Sequence, residues 1–140
     1  MSNVYNKDKK TTGFDPVDNA ATLQDEVTRY VMNEKRIPKR WRMIVGVPLI
    51  QAADRISDYA ILANETWCDE KHIEIRKDYW RMTITCCKQL DRKLHRAQNV
   101  IPSATPDSMK DIISLLNREV NLATHRRDND KVIDNNKKKK

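Results

Sequence analysis

Glycine is nearly missing from this sequence: two residues in 140, beside a single phenylalanine and three cysteines. Two glycines cannot supply the turns of a β-sandwich or barrel, nor a phosphate-cradling loop. With 34% of residues charged, the composition points to helices joined by short connections. The cysteines (Cys68, Cys86 and Cys87) are odd in number and two are adjacent, so they make no disulfide framework and indicate a reducing, cytoplasmic setting. No apolar run approaches the roughly 20 residues of a membrane span, and no apolar signal region opens the chain. A soluble protein of one domain is expected, large enough to bury one modest core.

Catalytic constellations are missing too. No serine, histidine and acid cluster marks a nucleophile. Cys68 and His72, four apart, would supply half a metal site, but no second pair stands at ligand spacing. Asp54 and Asp58 share a helix face, yet Arg55 lies between them and the pair reads as a solvated face. His95 and His125 sit among basic residues as surface positions. Trp80 and Cys87 fall on an apolar seam and read as core, while Cys86 has no evident partner. No enzymatic activity, metal or cofactor is expected.

What is present is charge, unevenly placed. The 27 basic and 20 acidic residues leave a net +7. Residues 1–19 balance three against three, and the chain from Arg127 onward carries six basic and three acidic residues, so residues 20–126 hold +4. Within them 35–42 contributes +5 and 79–98 contributes +4, leaving −5 for the rest of the body. Such segregation creates a local field that net charge does not describe.

Apolar periodicity predicts four helices. The first begins at an N-cap near Asp18 or Asn19 and carries Leu23, Val27, Tyr30 and Val31. The second opens at Pro38, where a first-turn proline costs no hydrogen bond, and follows Val45, Leu49, Ala52, Ile56, Tyr59 or Ala60, and Ala63. Pro48 lies inside it, so an irregular turn or kink is expected near Gly46. Asn64 to Asp69 reads as a tight connection. The third helix steps through Ile73, Trp80, Ile84, Cys87, Leu90, Leu94 and Ala97. After a loop in which Thr105-Pro106 marks the next start, the fourth carries Met109, Ile112, Ile113, Leu116, Val120 and Ala123. The expected fold is therefore all-α: an antiparallel, up-down-up-down four-helix bundle over 18–126. It would lie between a disordered N-terminal arm (1–17) and a disordered basic tail (127–140). In that topology the start of helix two and the end of helix three share one end of the bundle, and the tail leaves from the other.

The stretch KRIPKRWRMIVG, residues 35–46, is the sharpest feature. Lys35, Arg36, Lys39, Arg40 and Arg42 surround Trp41 with no acid among them. Lys39, Arg40 and Arg42 fall in an expected first turn, where the helix dipole opposes cations by a few tenths of a kcal/mol each. Free N–H groups beside lysine and arginine make an anion site, and Trp41 offers a face for stacking a base. Lys77, Arg81, Lys88, Arg92 and Arg96 recur at helical spacing on helix three, which reads equally as a solvated face; Arg92, Lys93 and Arg96 also suit a helix C-terminus. Nucleic-acid phosphate on one side, an acidic protein partner or adjacent subunit on the other, stand as the two explanations of the basic end. The terminal Lys137–Lys140 would add nonspecific attraction or simply solubility.

The run IPKRWR, followed by GVPLIQAADRISDYAILANE, resembles the second-helix region of the accessory variability determinants of diversity-generating retroelements and their relatives in ribosomal RNA intervening sequences. YVMNEKRIPK, YWRMTITCCKQLDRKLHRAQNV and MKDIISLLNREV fall in the matching order, so the resemblance covers roughly 20–126. It implies a left-handed four-helix bundle, a pentameric ring with a basic surface, and binding of RNA or DNA and of a reverse transcriptase in mutagenic retrohoming. By position it points to Lys39, Arg40 and Arg42. The intervening-sequence relatives imply instead a protein-interaction scaffold. Two departures stand out: Pro48 inside the second helix, and a last helix ending NLATHRRDND without a glycine and tryptophan pairing.

Overall fold

The computed structural model describes residues 15–133, and within them the chain forms four α-helices and no strand. They are α1 (Pro16–Met32), α2 (Val47–Glu65), α3 (Ile73–Val100) and α4 (Lys110–Asn129). None of them is long and apolar enough to cross a membrane. Each helix packs on the next in chain order, and α4 also packs on α1, so the four close around one core. The segment before Asp15 and the lysines at 137–140 lie outside the described residues.

Most of the apolar seam positions read from the sequence lie in the core, while Tyr59, Ile73, Ile113 and Val120 are half-buried. Leu23, Val27, Tyr30 and Val31 of α1, Leu49, Ala52, Ile56, Ala60 and Ala63 of α2, and Trp80, Ile84, Cys87, Leu90, Leu94 and Ala97 of α3 are all buried. Burying each large aliphatic side chain contributes roughly 1.5–3 kcal/mol. On α2 the small side chains Ala52, Ala53, Ala60 and Ala63 are fully or almost fully buried, which lets α2 lie close against its neighbours.

Both outer boundaries differ from expectation. α1 starts at Pro16 because Asp15 caps it, its carboxylate accepting the Val17 N–H at 2.7 Å and the Asp18 N–H at 3.3 Å; aspartate followed by a first-turn proline is a favourable opening. α4 runs on to Asn129, three residues beyond the expected end. The following Asp130 is held by Arg76 and Trp80, and the Ile133 N–H donates to the Cys68 carbonyl at 2.7 Å.

Asn19, read as a possible cap, is instead a buried core residue. Its Nδ2 donates to the Leu115 carbonyl and to Glu119 Oε1, both at 3.0 Å. Glu119 is fully buried on α4, and its Oε2 has no partner among the described residues. Loss of solvation pushes its carboxyl up to about 8, the Asn19 hydrogen bond opposing and the nearby Asp15 adding to the rise. The Cys87 thiol, buried beside it, is also pushed up, mainly by burial.

Hydrogen bonds define two ends. At one, the Tyr30 hydroxyl pairs with Ser108 Oγ at 2.6 Å, and Ser103 Oγ donates to the Arg36 carbonyl at 2.7 Å. The segment after α1 thus sits against the α3–α4 connection. At the other, Arg76 near the start of α3 joins the end of α2 to Asp130 beyond α4.

Candidate nucleic-acid interface

The basic stretch is assembled from irregular turns. Asn33 closes α1, its carbonyl accepting the N–H groups of Arg36 and Ile37 at 2.9 Å each. Ile37 is fully buried and pins the segment to the core. A 3₁₀ turn, Lys39–Trp41, follows, then a π turn, Arg42–Gly46, and only then α2. A regular α-helix from Pro38 would drive the Pro48 ring against the Ile44 carbonyl. One extra residue opens the turn there: the Val47 N–H reaches back to the Arg42 carbonyl. Gly46 allows this turn to press on α1, since a Cβ added there would lie 2.6 Å from Val31 Cγ1. The expected irregularity near Gly46 is present. The regular α-helical first turn over Lys39, Arg40 and Arg42 is not, so the case for anion binding at this segment rests on its side chains.

Lys35, Lys39 and Arg40 are exposed, and Arg36, Trp41 and Arg42 are half-buried. Arg36 is partly committed, its Nη1 donating to the Ser103 carbonyl at 3.4 Å. Trp41 packs against the core, which leaves less of its ring for stacking than the sequence implied. Its indole N–H and the Arg42 Nε are buried donors that find no acceptor among the described residues.

On α3, Arg96 lies one turn from the end that meets this segment, about 6 Å along the axis, with Arg92 and Lys88 at successive turns behind it. Between α2 and α3 runs a groove of about 460 Å³ lined by Arg55, Thr85, Lys88, Gln89, Arg92 and Lys93. Four of the six are cations and none is an acid. Arg55 was not apparent as part of any basic site, and Lys93 was expected only to favour the helix end. Both are cations on the helices' outer sides, Arg55 exposed and Lys93 half-buried, and only the pairing of α2 with α3 places them together.

Ion pairing engages some cations and not others; Lys71, Lys77 and Lys110, outside the basic segment and the groove, also form no ion pair among the described residues. Among the described residues, none of Lys35, Arg36, Lys39, Arg40 and Arg42 forms an ion pair, nor do the groove residues or Arg96. By contrast Arg29 pairs with Glu26, Arg76 with Asp130, Arg81 with Asp78 and Arg127 with Asp128. Arg81 stands nineteen residues before the end of α3, about 28 Å along its axis. It is not brought to the basic end. A second groove of about 580 Å³, between α3 and α4, mixes Asp91, His95 and Lys110 with neutral side chains and has no single sign. Cys68 is half-buried, His72 is tied to Asp69 at 2.6 Å, and among the described residues no three potential metal ligands converge.

Compared with protein-family models, with curated proteins and with solved structures, the chain finds no match.

Proposed function

We propose that this chain is a non-enzymatic accessory protein that holds RNA or DNA by its phosphates. It would use the 35–42 segment and the α2–α3 groove of an antiparallel, up-down-up-down bundle. The observation that carries the reading is a set of cations, on the 35–42 segment at one end and along the α2–α3 groove leading from it, with no acidic partner among the described residues. Elsewhere on the same molecule exposed arginines such as Arg29 and Arg81 are paired with neighbours three residues away. Unpaired like charges repel one another, and phosphates would relieve that repulsion. Together with the IPKRWR resemblance, this supports a cytoplasmic diversity-generating retroelement accessory protein: a homo-oligomer, pentameric in that family, docking to a reverse transcriptase during mutagenic retrohoming.

The test is binding of labelled RNA, single-stranded DNA and duplex across a salt series. Wild type is compared with a variant carrying K39Q, R40Q, R42Q, R92Q and R96Q, and with a groove variant carrying R55Q, K88Q and K93Q. Each phosphate contact removed flattens the log–log salt slope by roughly 0.7 to 0.9. Both variants are expected to keep the wild-type melting temperature, because they remove exposed or half-buried cations without partners. Wild type that binds none of the three probes at low salt would defeat the reading and leave a scaffold for an acidic protein.

A further inference from the structure

The π turn that re-aims the chain has a second effect. Val45 and Gly46 turn into the core, while Met43 and Ile44 are pushed out, 76% and 63% exposed. These are large apolar side chains on a rigid support: Val45 and Ile37 are buried on either side of them and Gly46 is locked against Val31. They stand within five residues of Lys39, Arg40 and Arg42. Exposed apolar groups also occur at the other end, including Trp67, but Glu65, Asp69 and Glu70 flank it. At the basic end the most exposed apolar pair among the described residues coincides with an excess of positive charge.

Resting on the nucleic-acid reading above, we infer that Met43 and Ile44 form a base-contacting tip, and that the site takes single-stranded nucleic acid in preference to uninterrupted duplex. Phosphates gain nothing from a thioether or an aliphatic chain. Base faces do, and a duplex hides them in its stack. Inserting Met or Ile between paired steps requires unstacking, at a few kcal/mol per step. A single strand offers its bases without that cost, and the π-face of any base is available for packing without regard to sequence. Methionine's flexible, polarisable thioether adapts to such a variable surface. The cations would hold the backbone while the Met43–Ile44 tip packs on a base.

The experiment measures an M43S/I44S variant against three probes of equal length: a single strand, a duplex, and a single strand carrying abasic sites. Expected is a loss of about tenfold on the intact single strand, at the low end of what base–aromatic stacking supplies because these side chains are aliphatic, with an unchanged salt slope. The duplex and the abasic strand should bind the variant and wild type alike. Equal losses on all three probes, or none on the single strand, would overturn the inference while leaving phosphate binding intact. Vesicles of anionic lipid are run in parallel; a loss confined to vesicles would assign the tip to a membrane surface instead. Wild type that binds no nucleic acid at all would remove the underlying reading, and this inference with it.

Discussion

The two ends of the bundle are both rich in arginine and use it in opposite ways. At the end where α2 passes to α3, Arg76 is buried and spent on the fold. Its Nε meets Asp130 at 2.6 Å, and its Nη1 donates to the carbonyls of Ala63, Asn64 and Thr66 at 2.9, 3.2 and 2.7 Å. Those bonds supply a donor to the Asn64 and Thr66 carbonyls just past the last turn of α2, and a second donor to Ala63, which also accepts the Thr66 N–H. The same Asp130 oxygen accepts from the Trp80 indole at 3.0 Å, and the guanidinium groups of Arg76 and Arg126 lie over the Trp80 ring at 5.9 and 5.8 Å. At the other end the cations of 35–42 have one long hydrogen bond, from Arg36, between them. A positive charge therefore says little about its role until its acceptors are counted. Here the count divides cations that hold the protein together from cations left for something else.

The sharpest way to break this comparison is Arg76→Ala. It leaves a largely buried Asp130 carboxylate with the Trp80 indole in place of a charged partner and removes a donor from three carbonyls, of which Ala63 keeps the Thr66 N–H; removing one partner of such a pair costs about 3–5 kcal/mol. Arg40→Ala, at an exposed site without a partner, should change stability by no more than about 0.5 kcal/mol. Urea unfolding of the two variants checks both numbers. Similar losses would mean that the open end is as structural as the stapled one.

Glu119 gives the next effect, and it depends on pH. Its carboxyl, normally near 4.5, sits at about 8 in the folded chain. Between those values the folded state keeps a proton that the unfolded chain has released. Stability from this group is therefore whole below about pH 4.5, falls as pH rises, and levels off above about pH 8. The slope is bounded by about 1.4 kcal/mol per pH unit. Glu119→Gln should abolish that slope, although its buried amide costs about 1–3 kcal/mol at low pH for want of an acceptor. Unfolding free energies from pH 5 to 8 would show it; parallel slopes in the two proteins would place the titration elsewhere.

The seams of α1, α2 and α3 were legible because a period of 3.6 needs no knowledge of neighbours. Leu90 and Leu94 could hardly be anything but core. What could not be read depends on partners distant in the chain. Asn19 has the chemistry of a cap, and only the return of α4 shows that it meets Glu119, one hundred residues later. Arg76, Lys77 and Arg81 are near neighbours on one helix, yet only Arg76 faces Asp130. The α2–α3 groove stayed hidden because Arg55 and Lys88 belong to different periodic patterns. At 35–46 the charge was plain, and Pro48 with Gly46 signalled an irregular turn. That the irregularity takes 3₁₀ and π form and leaves Met43 and Ile44 outward depends also on how the turn packs, Gly46 lying against Val31, which no local pattern encodes.

That fit supplies a smaller effect than Arg76 or Glu119 and tests whether the open end is held by packing alone. Gly46 has ordinary helical backbone angles, φ −67° and ψ −51°, so conformation does not require glycine there; space does. An alanine methyl would meet Val31 Cγ1 at 2.6 Å. Val31 is fully buried and stiff about χ1, so it cannot swing clear, and overpacking of this kind costs about 1–3 kcal/mol. Alanine's better helix propensity returns up to about 1 kcal/mol, leaving Gly46→Ala destabilised by about 1–2 kcal/mol. The variant should also weaken single-strand binding, because displacing this turn moves the Met43–Ile44 tip. If the close approach is the cause, Val31→Ala opens room for the new methyl. The double variant would then be more stable than the sum of the single losses predicts, with a coupling of 0.5 kcal/mol or more typical of residues in contact. Strict additivity would mean that the π turn is set by Pro48, with Gly46 merely tolerated beside it.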